Sequence, residues 1–428
     1  MAAWPSEIRE ESGVVNRIEC AFQFRRRVGP VAALFLAVAS LPAGATAAPQ
    51  AQVERGQYLA TAGDCISCHT GPGGKPFAGG GKLDTPFGYL LAPNITPDDD
   101  TGIGLWSADD FYRTMHEGLN RHGQDLYPAM PYTSYTLVTR EDSDAIYAYL
   151  RTLAPVKNDV DVNQLRFPFN QRWTMAFWRE LYFTPGTFRP VPGKSDEWNR
   201  GAYLVEGLEH CSACHSPRNI MGATEKRHEY TGAEIDGWFA PNLSSNLATG
   251  LGDWNVDDIA TYLKTGSRPG HTTTFGPMAE VVHNSTSHLT EADLKAMATY
   301  LKSLPPESSL RTAKAAPPDS KTKAASLYMD HCSACHQSGG RGMPGIFPPL
   351  VANGAVIAPD PGNVLQAVLN GIPMQNGYVA MPSFASQLTN QQIADVANYV
   401  RTSWGNQAVA NATAADVAKL RAAMPKAH

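Results

Sequence analysis

The chain is short of charge. Only 18% of its 428 residues are Asp, Glu, Lys or Arg, against about 25% in an ordinary globular protein. It also lacks a basic excess. With 35 basic and 40 acidic residues the net charge is −5, whereas a nucleic-acid binder needs a basic footprint. Long apolar runs are scarce. The one candidate, Val31 to Ala39, has about half the ~20 residues that a spanning helix needs, which excludes a multi-span membrane protein. The signatures of dinucleotide, hydrolase and zinc-peptidase chemistry are missing: there is no GxGxxG fold signal, no nucleophile elbow and no HExxH. Cysteine is sparse, but six of the seven fall in three copies of one short pattern. With 43% hydrophobic residues a packed core is available, so wholesale disorder is excluded.

The apolar run has a setting. Arg25, Arg26 and Arg27 precede it, Pro42 and Gly44 break it, and Ala45-Thr46-Ala47 follows. Basic, apolar and small-residue regions in that order describe a secretory signal peptide. The expectation is an N-terminal extension and signal over 1–48, which includes Cys20, and an exported mature chain with six cysteines.

Those six lie in Cys65-Ile66-Ser67-Cys68-His69, Cys211-Ser212-Ala213-Cys214-His215 and Cys332-Ser333-Ala334-Cys335-His336. Two thiols three positions apart share one helical face and can add across the two vinyl groups of one haem. The next residue, His69, His215 or His336, then lies under the iron as proximal ligand. Zinc would need two further soft ligands at each site, and the mature chain has no spare Cys. A redox dithiol needs no histidine after its second Cys. The cofactor expected is three covalently bound haem c.

The surroundings repeat as well. Arg55-Gly56-Gln57-Tyr58-Leu59 precedes the first motif and Arg200-Gly201-Ala202-Tyr203-Leu204 the second. Pro93-Asn94-Ile95-Thr96 matches Pro241-Asn242-Leu243-Ser244. Trp106 and Trp254 are followed by Asp109-Asp110 and Asp257-Asp258, each opening an amphipathic helix. A helix with a matching tyrosine (Tyr149, Tyr300 or Tyr399) closes each module. The fold expected is all-α, as three tandem class I cytochrome c-like domains at 49–155, 195–305 and 322–405. Residues 156–194 form an aromatic-rich linker, 306–321 a flexible linker and 406–428 a C-terminal tail. The first linker carries Trp173, Phe177, Trp178, Leu181, Tyr182 and Phe183. It reads either as a helix packed between modules or as an exposed aromatic face for a partner or membrane surface.

The second axial position decides between electron transfer and substrate chemistry. Each module offers a Met beside Pro: Met130, Met278 and Met381, at 61, 63 and 45 residues after the corresponding histidines. Proline fixes φ and has no amide to satisfy, which suits a ligand strap. The rivals are Met115, Met343 and Met374. A ligating imidazole usually gives its other N–H to a carbonyl. The backbone near Pro72 and Pro217 is the expected acceptor in the first two modules, with no acceptor identified in the third. The remaining histidines, His116, His122, His210, His271, His283 and His288, share no spacing, and most read as surface or loop residues.

Across nearly all of the mature chain these residues resemble the triheme cytochrome c subunit of bacterial membrane-associated dehydrogenases, such as those acting on alcohol, gluconate, sorbitol, fructose and glucose. The specific marks are Arg55-Gly56-x-Tyr58-Leu59, Gly74-Lys75-Pro76-Phe77-Ala78-Gly79-Gly80, Asn94-Ile95-Thr96-Pro97, Leu126-Tyr127-Pro128-Ala129-Met130-Pro131-Tyr132, Glu197-Trp198-Asn199-Arg200 and Gly276-Pro277-Met278-Ala279-Glu280. The resemblance implies a subunit that is not an enzyme by itself. It would take electrons from a flavin, quinoprotein or molybdenum catalytic subunit and pass them to ubiquinone or a terminal oxidase. It would be peripherally associated with the outer face of the cytoplasmic membrane, in the periplasm. The stretch after Trp404 lacks the apolar anchor that some members use. Competing readings are the cytochrome subunit of a molybdenum hydroxylase acting on aldehydes or nicotinate, a free periplasmic shuttle, and a haem peroxidase with an open sixth site.

Overall fold

Each of the first two modules is framed by two helices that cross too closely for side chains on both. In the first, α1 (Gln50–Ala62) crosses α5 (Arg140–Leu150). A Cβ on Gly56 would lie 1.8 Å from the carbonyl oxygen of Ala145. In the second, α7 (Asp196–Ala202) crosses α11 (Glu291–Lys302), and a Cβ on Gly201 would lie 1.9 Å from the carbonyl oxygen of Ala296. The glycine of the repeated Arg-Gly-x-Tyr-Leu is therefore the crossing point, where only hydrogen fits. In the third module α12 (Lys321–His331) crosses α16 (Asn390–Thr402), with Ala324 and Tyr328 buried between them. The computed structural model describes residues 48–268, 271–307, 321–375 and 377–424. The expected signal peptide and most of the 306–321 linker lie outside the described residues.

The other repeats are local devices. The Asp-Asp pair after each Trp is the second and third residue of a capped helix. In α3 (Ala108–Glu117) Ser107 and Asp110 form a reciprocal capping box, as Asn255 and Asp258 do in α9 (Val256–Thr265). Short helices follow at α2 (Cys65–Cys68), α4 (Tyr132–Tyr135), α6 (Thr174–Tyr182), α8 (Ser212–His215), α10 (Pro277–Asn284), α13 (Ser333–His336), α14 (Gly354–Ile357), α15 (Gly362–Asn370) and α17 (Ala414–Ala423).

The helical expectation holds for each frame, but an all-α description is too strict, because seven short strands accompany the described helices. β1 (Lys82–Thr85) and β2 (Gly88–Leu91) form a hairpin to which β3 (Asn163–Leu165) adds a third antiparallel strand. β4 (Ala233–Ile235) and β5 (Trp238–Ala240) are the matching hairpin of the second module, and β6 (Ser267–Arg268) pairs with β7 (Thr272–Thr273).

Residues 156–194 do more than link. β3 extends the first module's hairpin, and α6 packs one face on that module through Trp178, Tyr182 and Phe183 around the fully buried Tyr132. The Trp178 indole N–H donates to the Met221 carbonyl at 2.9 Å. The opposite face, Trp173, Phe177 and Leu181, is 65–72% exposed at successive i, i+4 positions. One face of this segment is thus packed and the other exposed. The expected tail also folds onto the third module as far as Met424. Arg401, fully buried, donates to the carbonyls of Val356, Pro359, Asp360 and Val409 and to the Asn411 side chain. Val417 of α17 completes that core.

The first two modules share one continuous hydrophobic core, while the third has its own. The shared core is locked by a reciprocal polar clamp. Tyr58 of α1 donates to Asp293 of α11 at 2.6 Å, and Asp293 also accepts two 2.8 Å bonds from Arg200. In mirror fashion Tyr203 donates to Asp142 of α5 at 2.6 Å, and Asp142 accepts from Arg55 at 2.7 Å. Burial alone would raise the Asp293 carboxyl, but the bonds from Arg200 and Tyr58 outweigh it and hold the group below its ordinary value. A carboxyl depressed in the fold contributes stability that is complete above its unfolded pKa of about 3.9 and is lost as the pH falls through the folded value.

Tyr58→Phe and Tyr203→Phe should each cost about 1.5–3 kcal/mol, the value of a hydrogen bond to a charged group. Denaturant melts that resolve the third module separately should show its transition unmoved. The thermal midpoint of Asp293→Asn should lie below wild type at pH 7, and the gap should close below about pH 4. A gap of constant size down to pH 3 would contradict the clamp.

Candidate haem sites

Each Cys-x-x-Cys-His forms one helical turn at the end of the module's first long helix. The entering residue is left-handed in the first two modules: φ is 48° at Asp64 and 37° at His210. That kink precedes the attachment turn, in which Cys65, Cys211 and Cys214 are half-buried and Cys68 is exposed. None of the six sulfurs is in a disulfide. Burial pushes the Cys65 thiol up to about 12 and that of Cys332 to about 11. Among the described residues no three His, Cys, Asp or Glu side chains converge as a metal-ion cluster would require.

The imidazoles are oriented from behind. His69 Nδ1 lies 2.7 Å from the Pro93 carbonyl, His215 Nδ1 2.7 Å from that of Pro241, and His336 Nδ1 3.2 Å from that of Pro348. These acceptors replace the expected ones near Pro72 and Pro217 and supply the one missing in the third module. The repeated Pro-Asn-x-Thr/Ser explains the change. Asn94 accepts from the Thr96 amide at 2.9 Å and donates to Thr101 and to the Val156 carbonyl. Asn242 does the same with Ser244, Thr249 and Glu307. Each asparagine holds rigid the loop whose proline carbonyl meets the histidine. Burial lowers all three imidazole pKa values and outweighs the opposing carbonyl bond. The rings are therefore neutral with Nδ1 as donor, leaving Nε2 free as a ligand.

The cradle fits a haem. In the second module the Tyr230 hydroxyl is buried with no hydrogen-bond partner, beside Cys211 and Tyr300. Tyr230 stands where the first module has Phe77: φ is 63° and 61°, and each carbonyl accepts from the residue after the proline–asparagine pair. An orphaned hydroxyl and two unpaired thiols around a neutral imidazole match a polar-edged macrocycle held by thioethers.

The three predicted methionines lie in the later half of each module. Met130 enters α4, with its carbonyl accepting from the Tyr132 amide at 2.7 Å. Met278 is the second residue of α10, behind Pro277. Met381 pairs with Ile372 through two backbone bonds of 2.8 and 2.9 Å. All three are partly buried against the cores. The rivals are placed differently: Met115 is buried in the core on α3, and Met343 and Met374 are 43% and 74% exposed.

Residues that sequence reasoning missed join the sites. The strap helix α10 of the second module packs on α2 of the first, where Asn284 donates to Ser67 at 2.8 Å. Reciprocally, Tyr135 of the first module's strap meets the His210 ring edge-on at 5.5 Å and donates to the Gly63 carbonyl at 3.0 Å. His210 is thus an interface residue, contrary to its reading as a surface histidine. The third module attaches to the β4–β5 hairpin, where Asn363 exchanges two 2.9 Å bonds with the Phe239 backbone.

Residues 53–154 and 199–305 match the family model described as Cytochrome c, and residues 319–400 the model described as Cytochrome C oxidase, cbb3-type, subunit III. The chain is 42% identical over 400 residues to the gluconate 2-dehydrogenase cytochrome c subunit of Pantoea cypripedii, covering 87% of this chain and 90% of that one. It is 38% identical over 433 residues to the cytochrome c subunit of alcohol dehydrogenase (quinone) from Gluconacetobacter polyoxogenes, covering 95% and 91%. It is also 42% identical, over 90% of its length, to a subunit of the nicotinate dehydrogenase of Pseudomonas putida, but spans only 32% of that protein. The modules are cytochrome c domains, a class that holds haem c covalently. Within that class the chain belongs to the family of dehydrogenase cytochrome c subunits. It carries electrons for a dehydrogenase and is not the catalytic subunit.

Cys332→Ala should remove one haem and leave the other two spectra intact, because the third module has a separate core. Cys211→Ala should also disturb the haem spectrum of the first module, since the first two modules share one core. Haem-stained gels and visible spectra of each variant check this, and a clean loss of one haem from Cys211→Ala would count against the shared core.

Proposed function

We propose that the chain holds three haem c groups in series and passes electrons from a dehydrogenase catalytic subunit towards ubiquinone or a terminal oxidase. Cys65 and Cys68, Cys211 and Cys214, and Cys332 and Cys335 attach the haems. His69, His215 and His336, together with Met130, Met278 and Met381, would hold the irons. When bound, the haems supply one-electron iron couples, and Met/His ligation raises their potentials. The protein's part is to close both axial positions, exclude water and fix the spacing of the sites. The observation that carries this reading is the reciprocal packing of each attachment turn of the first two modules on the other's methionine strap. The third module extends the line from the second.

The leader-like N-terminus supports export to the periplasm. No described helix is long and apolar enough to cross a membrane. The exposed Trp173–Phe177–Leu181 stripe supports peripheral contact with the outer face of the cytoplasmic membrane, where such side chains are favoured. A second reading, the electron-transfer part of a nicotinate-type dehydrogenase, rests on the 42% identity over 90% of the chain.

Pyridine haemochrome should give three covalent haems per purified chain, and two or fewer would overturn the serial reading. Met130→His, Met278→His and Met381→His should each lower the potential of one haem in a redox titration. The purified protein should be reduced by a gluconate- or alcohol-type dehydrogenase with its substrate, with no substrate turnover alone. Efficient peroxide consumption by the isolated chain would favour the peroxidase.

A further inference from the structure

The second module departs from the first by one residue. Ten positions separate Arg55 from Cys65, and eleven separate Arg200 from Cys211. The extra residue is absorbed by a π-helical turn over Tyr203–Leu208, immediately after α7. Such turns arise from single insertions and recur at functional sites. Counting back from the cysteines, Glu209 occupies the place of Gly63. Its side chain is not turned to solvent: the residue is 7% exposed and lies between the attachment turns of the first two modules.

The charged groups acting on Glu209 are acidic: Asp64 from the turn before α2 and Asp293 from α11. Glu280 of α10 acts on Asp64 in turn. The neighbouring His210 is held down to about 4 by burial and so carries no charge at neutral pH. Burial, reinforced by Asp64, drives the Glu209 carboxyl well above its ordinary value. No cation among the described residues is hydrogen-bonded or ion-paired to it.

Among the described residues, the one polar side chain hydrogen-bonded to its carboxyl is that of Ser285, fully buried. The Ser285 Oγ lies 3.3 Å from Glu209 Oε1 and 3.3 Å from the Ala62 carbonyl oxygen. A hydroxyl has one proton to give, and a carbonyl can only accept. When Ser285 donates to Ala62, the bond to Glu209 must run the other way, from a protonated carboxyl. When Glu209 is ionised, Ser285 must turn and release Ala62. The contact therefore has two arrangements, distinguished by one proton, and Ala62 is the last residue of α1 before the first attachment turn.

We propose that Glu209 takes up a proton from solvent when the haem pair of the first two modules is reduced, so that electron passage across this interface is coupled to proton uptake. The inference rests on the haem reading above. The balance is simple: one electron arrives at a haem iron from the dehydrogenase, and one proton converts the Glu209 carboxylate to the acid. Oxidation returns both. The net positive charge of an oxidised haem would favour the Glu209 carboxylate, and its loss on reduction leaves burial and Asp64 to favour the acid.

The test uses the purified chain after its three haems have been counted, so that a failed haem reading is recognised first. In spectroelectrochemical titrations the midpoint of one haem should fall as the pH rises, by up to about 59 mV per pH unit, a tenfold change for a one-electron couple. In Glu209→Gln that slope should vanish with the haem count unchanged. Reduced-minus-oxidised infrared spectra of the wild type should show the gain of one protonated carboxyl, absent in Glu209→Gln and displaced in Ser285→Ala. A slope that survives Glu209→Gln, or a wild-type difference spectrum with no carboxyl gain, would overturn the proposal. The wild-type spectrum decides the matter even if the Gln variant fails to fold.

Discussion

The close crossing of the first and last long helix in each of the first two modules is the constraint on which the other features rest. At Gly56 and Gly201 the backbones meet with no room for a Cβ. That closeness sets where α1 and α7 end, and hence where the attachment turns begin. It also brings Arg55 and Arg200 beside the aspartates of the closing helices and leaves Tyr58 and Tyr203 pointing at the neighbouring module. One small residue thus fixes a helix pair, a haem-attachment turn and half of an inter-module clamp.

The clamp turns two domains into one body. A haem-binding module of about 100 residues buries limited apolar surface by itself, and here the two modules pool theirs in a single core. The attachment turn of each then abuts the strap of the other, and the spacing of the two sites cannot drift. The third module follows a different plan. It keeps a separate core, braced by the buried Arg401 and by α17, and touches the second module through a polar hairpin contact.

Much of this was legible in the sequence, for reasons that can be named. The attachment motifs are contiguous, and so are the Asp-Asp capping boxes and the Pro-Asn-x-Thr/Ser turns, so their meaning needs little more than local geometry. The glycines could be seen to repeat, but their reason lies in a helix some 90 residues away. The clamp was invisible, because Tyr58 and Asp293 are 235 residues apart and nothing local marks them as partners. The histidine acceptors could not be read locally either. The prolines nearest in sequence, Pro72 and Pro217, are not the ones used, because the chain folds the later ones, Pro93 and Pro241, behind the rings. The aromatic segment defeated a single reading because its helix has two apolar faces, only one of which is covered. The three methionines beside prolines are half-buried against the cores, while Met343 and Met374 are exposed.

The central claim is a chain with three one-electron sites, two of them held in one body. Coulometric reduction of the purified protein, followed at the haem bands, tests it most directly. The account predicts three electrons per chain at full reduction. It also predicts that two of the three titration steps shift each other's midpoints, while the third is independent. Fewer than three electrons, or three steps with no mutual influence, would contradict it.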